Sequence, residues 1–185
     1  MSNTSILWRR LDQPGHECAV LSEGPAGAVL AGTAVFRESG RASRLDYRIV
    51  CDAAWRTISA RVTGSIDTTP IDVAIGADAA RTWTFNGRSC ADLRGCDDID
   101  LSFSPATNLL PIRRLQLAVG ARAAVRAAWL RLPSVTLEPL EQTYERLTLS
   151  QYRYESGNGS FAAVLETNAA GLVTVYEGRW QVDSD

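Results

Sequence analysis

Lysine is absent from this sequence, histidine and methionine occur once each, and cysteine occurs four times. The 19 basic residues are therefore all arginines, set against 21 Asp and Glu for a formal net charge of -2. A balance this even argues against a nucleic-acid partner, which is held through a surplus of basic groups. Cys18, Cys51, Cys90 and Cys96 are too few for a disulfide-built scaffold. Their spacings of 33, 39 and 6 match no compact zinc pattern. Apolar runs of roughly 18 residues are missing, so no transmembrane helix is expected. The segment Met1 to Asp12 lacks a charged start followed by an apolar stretch, so no signal peptide is read and a cytoplasmic location is expected. No phosphate loop, dinucleotide fingerprint, nucleophile elbow or zinc-peptidase pattern occurs, and His16 has no partner visible in sequence. Neither a cofactor nor a metal is expected.

What the sequence does contain is a globular composition, 45% hydrophobic and 22% charged over 185 residues. That suffices for one domain with its own core, and no linker or repeat divides residues 1–185. Alternation of apolar and polar residues dominates. Its clearest instance is Arg44 to Cys51, where Leu45, Tyr47, Ile49 and Cys51 share a face and Arg44, Asp46 and Arg48 the other. Further strands are predicted at Ala28–Val35, Thr57–Ile66, Ile71–Ile75 and Arg81–Phe85, with Asn86-Gly87 as a tight hairpin turn. A strand through Ile99, Leu101 and Phe103 would place Asp98 and Asp100 together on its opposite face. Gln151–Glu155, Phe161–Thr167 and Leu172–Trp180 read as a closing meander, turned at Gly157-Asn158-Gly159 and Asn168 to Gly171. Residues 121–132 fit a helix by alanine propensity and a strand by alternation equally well. Glu138 to Arg146 suits either a short helix or a strand. The fold class that follows is all-β with little helix: a strongly curved, mostly antiparallel sheet of about ten to twelve strands, forming an open or incomplete barrel.

The stretch GCDDIDLSFSPATNLLPIRR, Gly95 to Arg114, resembles a bacterial family known as "putative glycolipid-binding" proteins, formerly a domain of unknown function. Trp8–Leu11, Tyr47–Arg56, Tyr144 with Arg146-Leu147, and Tyr152–Ser156 are similar to the same family, so the resemblance spans nearly the whole chain. It implies a large antiparallel sheet curled into an incomplete barrel, reminiscent of periplasmic lipoprotein carriers and mycobacterial lipid-binding lipoproteins. It also favours a strand for residues 121–132. The chain departs from its relatives at His16-Glu17, where they more often carry a leucine before the acid.

The acidic cluster Asp97, Asp98 and Asp100 reads first as structural, paired with arginines of neighbouring strands such as Arg113 or Arg114. Those two arginines are consecutive on a predicted strand and would face opposite sides, so one of them would meet a ligand head. Asn108, fixed between Ser104-Pro105 and Leu110-Pro111, would either satisfy loop backbone or offer its amide to a sugar hydroxyl. Tyr47, Trp55 and Trp129 would line the inner face of the curled sheet. Tyr152 and Tyr154 share a face beside a glycine-rich hairpin and would form a rim. These rings either fill a solid core or enclose a groove for an elongated apolar ligand, with arginines at its mouth. The leading expectation is therefore a non-catalytic protein that binds a lipid or glycolipid. The alternatives are a structural or protein-interaction module and a hydrolase using Asp98 and Asp100. Oligomeric state is not set by the sequence.

Overall fold

Period-two alternation is most regular in the first half of the chain, and there each strand folds back beside the one before it. A computed structural model describes residues 2–183. The first meander comprises β1 (Ser2–Arg10), β2 (Gly15–Gly24), β3 (Gly27–Glu38), β4 (Arg41–Cys51), β5 (Thr57–Ile66), β6 (Thr69–Ala77), β7 (Trp83–Phe85) and β8 (Arg88–Ser89). After β9 (Asp98–Leu101) come a 3-10 turn, Pro105–Asn108, and helix α1 (Leu109–Leu115). The second meander is β10 (Arg122–Arg131), β11 (Thr136–Arg146), β12 (Gln151–Ser156), β13 (Phe161–Thr167), β14 (Val173–Tyr176) and β15 (Trp180–Val182). All belong to one 15-stranded sheet in which β1 pairs with β15, leaving β8 and β9 as its two edges. The meanders are antiparallel, whereas β9 runs parallel to β10.

The sheet rolls up without closing. Only residues 90–97 separate the two edges in sequence, and eight residues span at most roughly 28 Å. The seam is held by loop contacts and not by a ladder: Thr57 N donates to the Asp97 carbonyl at 3.1 Å and Ile99 N to Thr57 Oγ1 at 3.0 Å. Arg81 adds bonds to the carbonyls of Cys96, Thr57 and Asp97.

Strand β9 has both faces covered and divides the interior. Ile99 and Leu101 join the larger apolar core with Trp8, Leu30, Ile49 and Trp83. Asp98 and Asp100 point the other way, toward a second cluster built on Ile112, Tyr144, Tyr152, Tyr154 and Leu165. Helix α1 bridges them, giving Leu109 and Leu110 to the first and Ile112 to the second. Full burial of each such side chain contributes about 1.5–3 kcal/mol before entropy is counted. The roll thus has one plugged end, which carries the β2–β3, β4–β5 and β13–β14 turns, and one end without a helix.

Several expectations change. Among the described residues fifteen strands form instead of ten to twelve: β1, β2 and β8 had no predicted counterpart, and one predicted strand divides into β14 and β15. The predicted strand Leu172–Trp180 is two strands with a turn between them. The segment left open between helix and strand holds β10 (Arg122–Arg131), as the resemblance implied, because pairing on both sides overrides alanine's helical preference. Glu138 to Arg146 belongs to β11. Phe103 lies beyond the end of β9, and Asp98 is 1% exposed, so the acid face of that strand is covered except where Asp100 meets the cleft. Arg113 and Arg114 stand on α1, not on a strand. Ser104 accepts from Ala106 N and Pro105 follows it, an N-cap with proline at the next position that starts the helical segment.

Candidate functional site

The end of the roll opposite α1 holds a cleft of about 460 Å³. Its walls come from distant parts of the chain: Arg10 of β1, Glu38 of β3, Asp100 of β9, Trp129 of β10 and Tyr154 of β12. Phe161, Tyr176 and Trp180 continue the aromatic surface on β13 to β15. The rings pack edge to face, with Tyr154 6.1 Å from Phe161 and 6.0 Å from Tyr176 between centroids. Ser102, Ser104 and Asn108 add small polar groups.

The charges around the cleft are mutually engaged, with one exception. Arg10 lies between the rings of Phe36 and Trp180, at 5.5 and 5.4 Å from their centroids. Its Nε donates to Asp12 Oδ1 at 2.8 Å, and Glu38 stands 3.6 Å from Nη1. Arg179 reaches Asp12 Oδ2 at 3.0 Å. Burial works to raise Asp12, but hydrogen bonds and charge from Arg10 and Arg179 prevail and hold it below the ordinary carboxylate value. Asp100 has no such cation: its partner is the neutral amide of Gln142, at 2.5 Å. Burial pushes Asp100 up to about 6, partly opposed by that hydrogen bond.

Behind the cleft wall sits a second acid. Glu17 is 1% exposed, and its Oε1 accepts from Tyr47 Oη at 2.6 Å and Ser104 Oγ at 2.5 Å. Oε2 is buried without a partner. Desolvation pushes this carboxyl up to about 8, and its two hydroxyl donors and the nearby Arg10 charge offset only part of that.

Of the residues singled out in the sequence, the cleft brings together Asn108, Trp129, Tyr154 and Asp100. Asn108 is committed internally, accepting from Tyr144 Oη at 2.8 Å and donating to the Pro105 carbonyl at 3.1 Å. Tyr47 lies one layer back, on Glu17. Trp55 and Arg113 meet at the plugged end, where the guanidinium stacks 4.3 Å from the indole and also binds Glu23 at 2.6 Å. Arg114 grips Asp98 through two nitrogens, Nε at 3.0 Å and Nη2 at 2.5 Å, and reaches Asp97 at 3.7 Å. Tyr152 is buried in the second cluster beneath Arg146. The cleft therefore receives one member of the Asp98/Asp100 pair, and Asp98 is held elsewhere.

Arg10, Glu38 and Arg179 were not singled out by the sequence reading. One signal was present: in β1, Ile6, Trp8 and Arg10 share the inward face, so an arginine ends an otherwise apolar row. Nothing local relates Arg10 to Asp100, since their proximity depends on the whole sheet rolling.

An open cleft of ring faces, hydroxyls and one uncompensated carboxylate can hold a ligand with both C–H surface and hydroxyl donors. The crystal structure of a DUF1089 family protein from Pseudomonas aeruginosa is similar, with 34% sequence identity and a TM-score of 0.74. The match covers 98% of this chain and 92% of that one. No curated protein matches. The family model described as "Putative glycolipid-binding" matches residues 5–182, and the chain belongs to that family.

Proposed function

We propose that this protein binds a glycolipid or similar amphiphile without transforming it, taking the polar head into the cleft at the open end of the roll. The observation that carries this reading is the division of the aromatic residues. Trp8, Trp83 and Phe103 fill the core, whereas Trp129, Phe161 and Tyr176 are part-exposed and border accessible space. Rings exposed in a concave site present flat apolar faces that suit the C–H surface of a sugar, and the serines and Asp100 beside them suit its hydroxyls. Leu132 and Leu140 extend the apolar side of the cleft, the place where an alkyl chain leaving the head would lose contact with water. Burial of each CH₂ there contributes roughly 0.8 kcal/mol.

Binding rather than chemistry also fits the acids. Glycoside hydrolysis wants two carboxyl groups facing one bond; Asp98 is occupied by Arg114 away from the cleft, and Glu38, the other acid of the cleft wall, is paired with Arg10. Titration with octyl β-D-glucoside, followed by tryptophan fluorescence, tests the proposal. Saturable binding that is weakened at least tenfold in Trp129→Ala is expected; unchanged affinity in that variant, or no saturable binding at all, would overturn it.

A further inference from the structure

We infer that the head group selected by the cleft is a polyol carrying no negative charge, anchored by its hydroxyls on Asp100. The inference rests on the binding proposal and deepens it by naming the class of head. Three features of the cleft lead to it.

The first is that the two arginines of the cleft are already engaged. Asp12 takes both, at 2.8 Å from Arg10 and 3.0 Å from Arg179. The amino nitrogen Nη1 of Arg10 is closed to solvent and makes no hydrogen bond, with the Glu38 carboxylate 3.6 Å away as its counter-charge. A phosphate or carboxylate arriving in the cleft would meet arginines whose charge is already offset by Asp12 and Glu38.

Second, Asp100 has accepting capacity to spare. A carboxylate has about four lone-pair sites, and the hydrogen bond shown for its side chain is the single one from Gln142. Two neighbouring hydroxyls of a sugar ring can donate to such an oxygen pair, whereas an anionic head offers it only repulsion.

The third is the sum of charge at the site. Facing Asp100 from other elements are Tyr144 of β11, Tyr154 of β12 and Tyr176 of β14, all raised by burial and hence neutral. Asp98, on the same strand, carries its own Arg114. Around the cleft, Arg10 and Arg179 are balanced by Asp12 and Glu38. Asp100 is the charge left over, so the field a ligand meets is that of one acid.

The test compares octyl β-D-glucoside with octyl β-D-glucuronide, which share ring and chain and differ in one carboxylate. At pH 7.5 the glucoside is expected to bind at least about tenfold more tightly, the size of one charge-assisted hydrogen bond or more. Asp100→Asn keeps an acceptor for Gln142, with circular dichroism to verify the fold, and should bring the ratio close to one. In the unaltered protein, acidification from pH 7.5 to 5 should shrink the ratio as Asp100 gains its proton, a readout that needs no variant. Equal binding of both amphiphiles, a preference for the glucuronide, or a ratio indifferent to both pH and Asp100→Asn would overturn the head-group assignment and leave the binding proposal standing. If neither amphiphile saturates the cleft, the binding proposal falls and this inference with it.

Discussion

Tyr47 passes over the position where Gly32 lacks a side chain. The two residues are paired across β3 and β4, and a Cβ on Gly32 would lie 2.6 Å from the Tyr47 hydroxyl and 2.6 Å from the Cys18 carbonyl. This gap lets the phenol reach Glu17 on β2. Gly32→Ala is accordingly expected to destabilise the fold by about 2 kcal/mol, because both the ring and a backbone carbonyl must give way. Urea denaturation measures it; an unchanged midpoint would show that Tyr47 does not depend on the gap.

Glu17 makes stability depend on pH in an unusual direction. Its ordinary value is 4.5, and in the fold it is pushed up to about 8. Between those values the folded protein holds a proton that the unfolded chain has released. Its contribution is thus complete below pH 4.5 and is lost as pH rises through 8. Asp100 acts with the same sign between 3.8 and about 6, so from pH 6.5 to 7.5 Glu17 supplies most of the slope. A decline of about 1 kcal/mol per pH unit is expected there. Glu17→Gln should flatten that slope, and a slope surviving the substitution would assign it to another group.

The pair Arg114–Asp98 predicts an asymmetry. Asp98 is almost completely buried, and burial raises its carboxyl despite the opposing pull of Arg114. Arg114→Ala strands that acid and should cost about 3 kcal/mol. Asp98→Asn leaves Arg114 with Asp97 at 3.7 Å and partial access to water, so it should cost clearly less. Chemical denaturation of both variants would show the order, and equal losses would contradict it.

Bulk at the rim should separate ligand binding from folding. Ser160 borders the cleft from the exposed β12–β13 turn. Ser160→Trp is expected to alter stability by less than about 0.5 kcal/mol, as surface changes usually do, while abolishing amphiphile binding. Thermal unfolding and the fluorescence titration together check both halves.

Alternation made the sheet readable where one face is wet. The predicted strands Thr57–Ile66 and Phe161–Thr167 coincide with β5 and β13, and Arg44–Cys51 falls within β4. It failed where both faces are covered. In β9 the acids Asp98 and Asp100 were read as paired with arginines, which Arg114 does for Asp98, but alternation gave no sign of the second cluster on that side. In β10 the alanines carried no directional signal, since small residues suit a strand pressed between β9 and β11 as well as they suit a helix. Arg113 and Arg114 were placed on a strand because the flanking prolines were weighed as extended-chain signals, although Ser104-Pro105 also reads as a helix start. Trp129, Tyr154 and Asn108 were legible as candidates by residue type. Their assembly with Arg10 and Arg179 was not, because it arises only when β1, β9 and β15 meet in three dimensions.

The pairing of β1 with β15 has a consequence for how the molecule comes together. Each meander zips from neighbours close in sequence, but this junction joins Trp8 to Val182 and Arg10 to Trp180. Trp8 fastens it further by donating from Nε1 to the Val173 carbonyl at 2.6 Å. Contacts of such sequence separation form late, since the loop entropy must be met before they repay it. Arg10 and Trp180, which both border the cleft, are also partners in this last junction, so the cleft is complete only once the chain's two halves have locked.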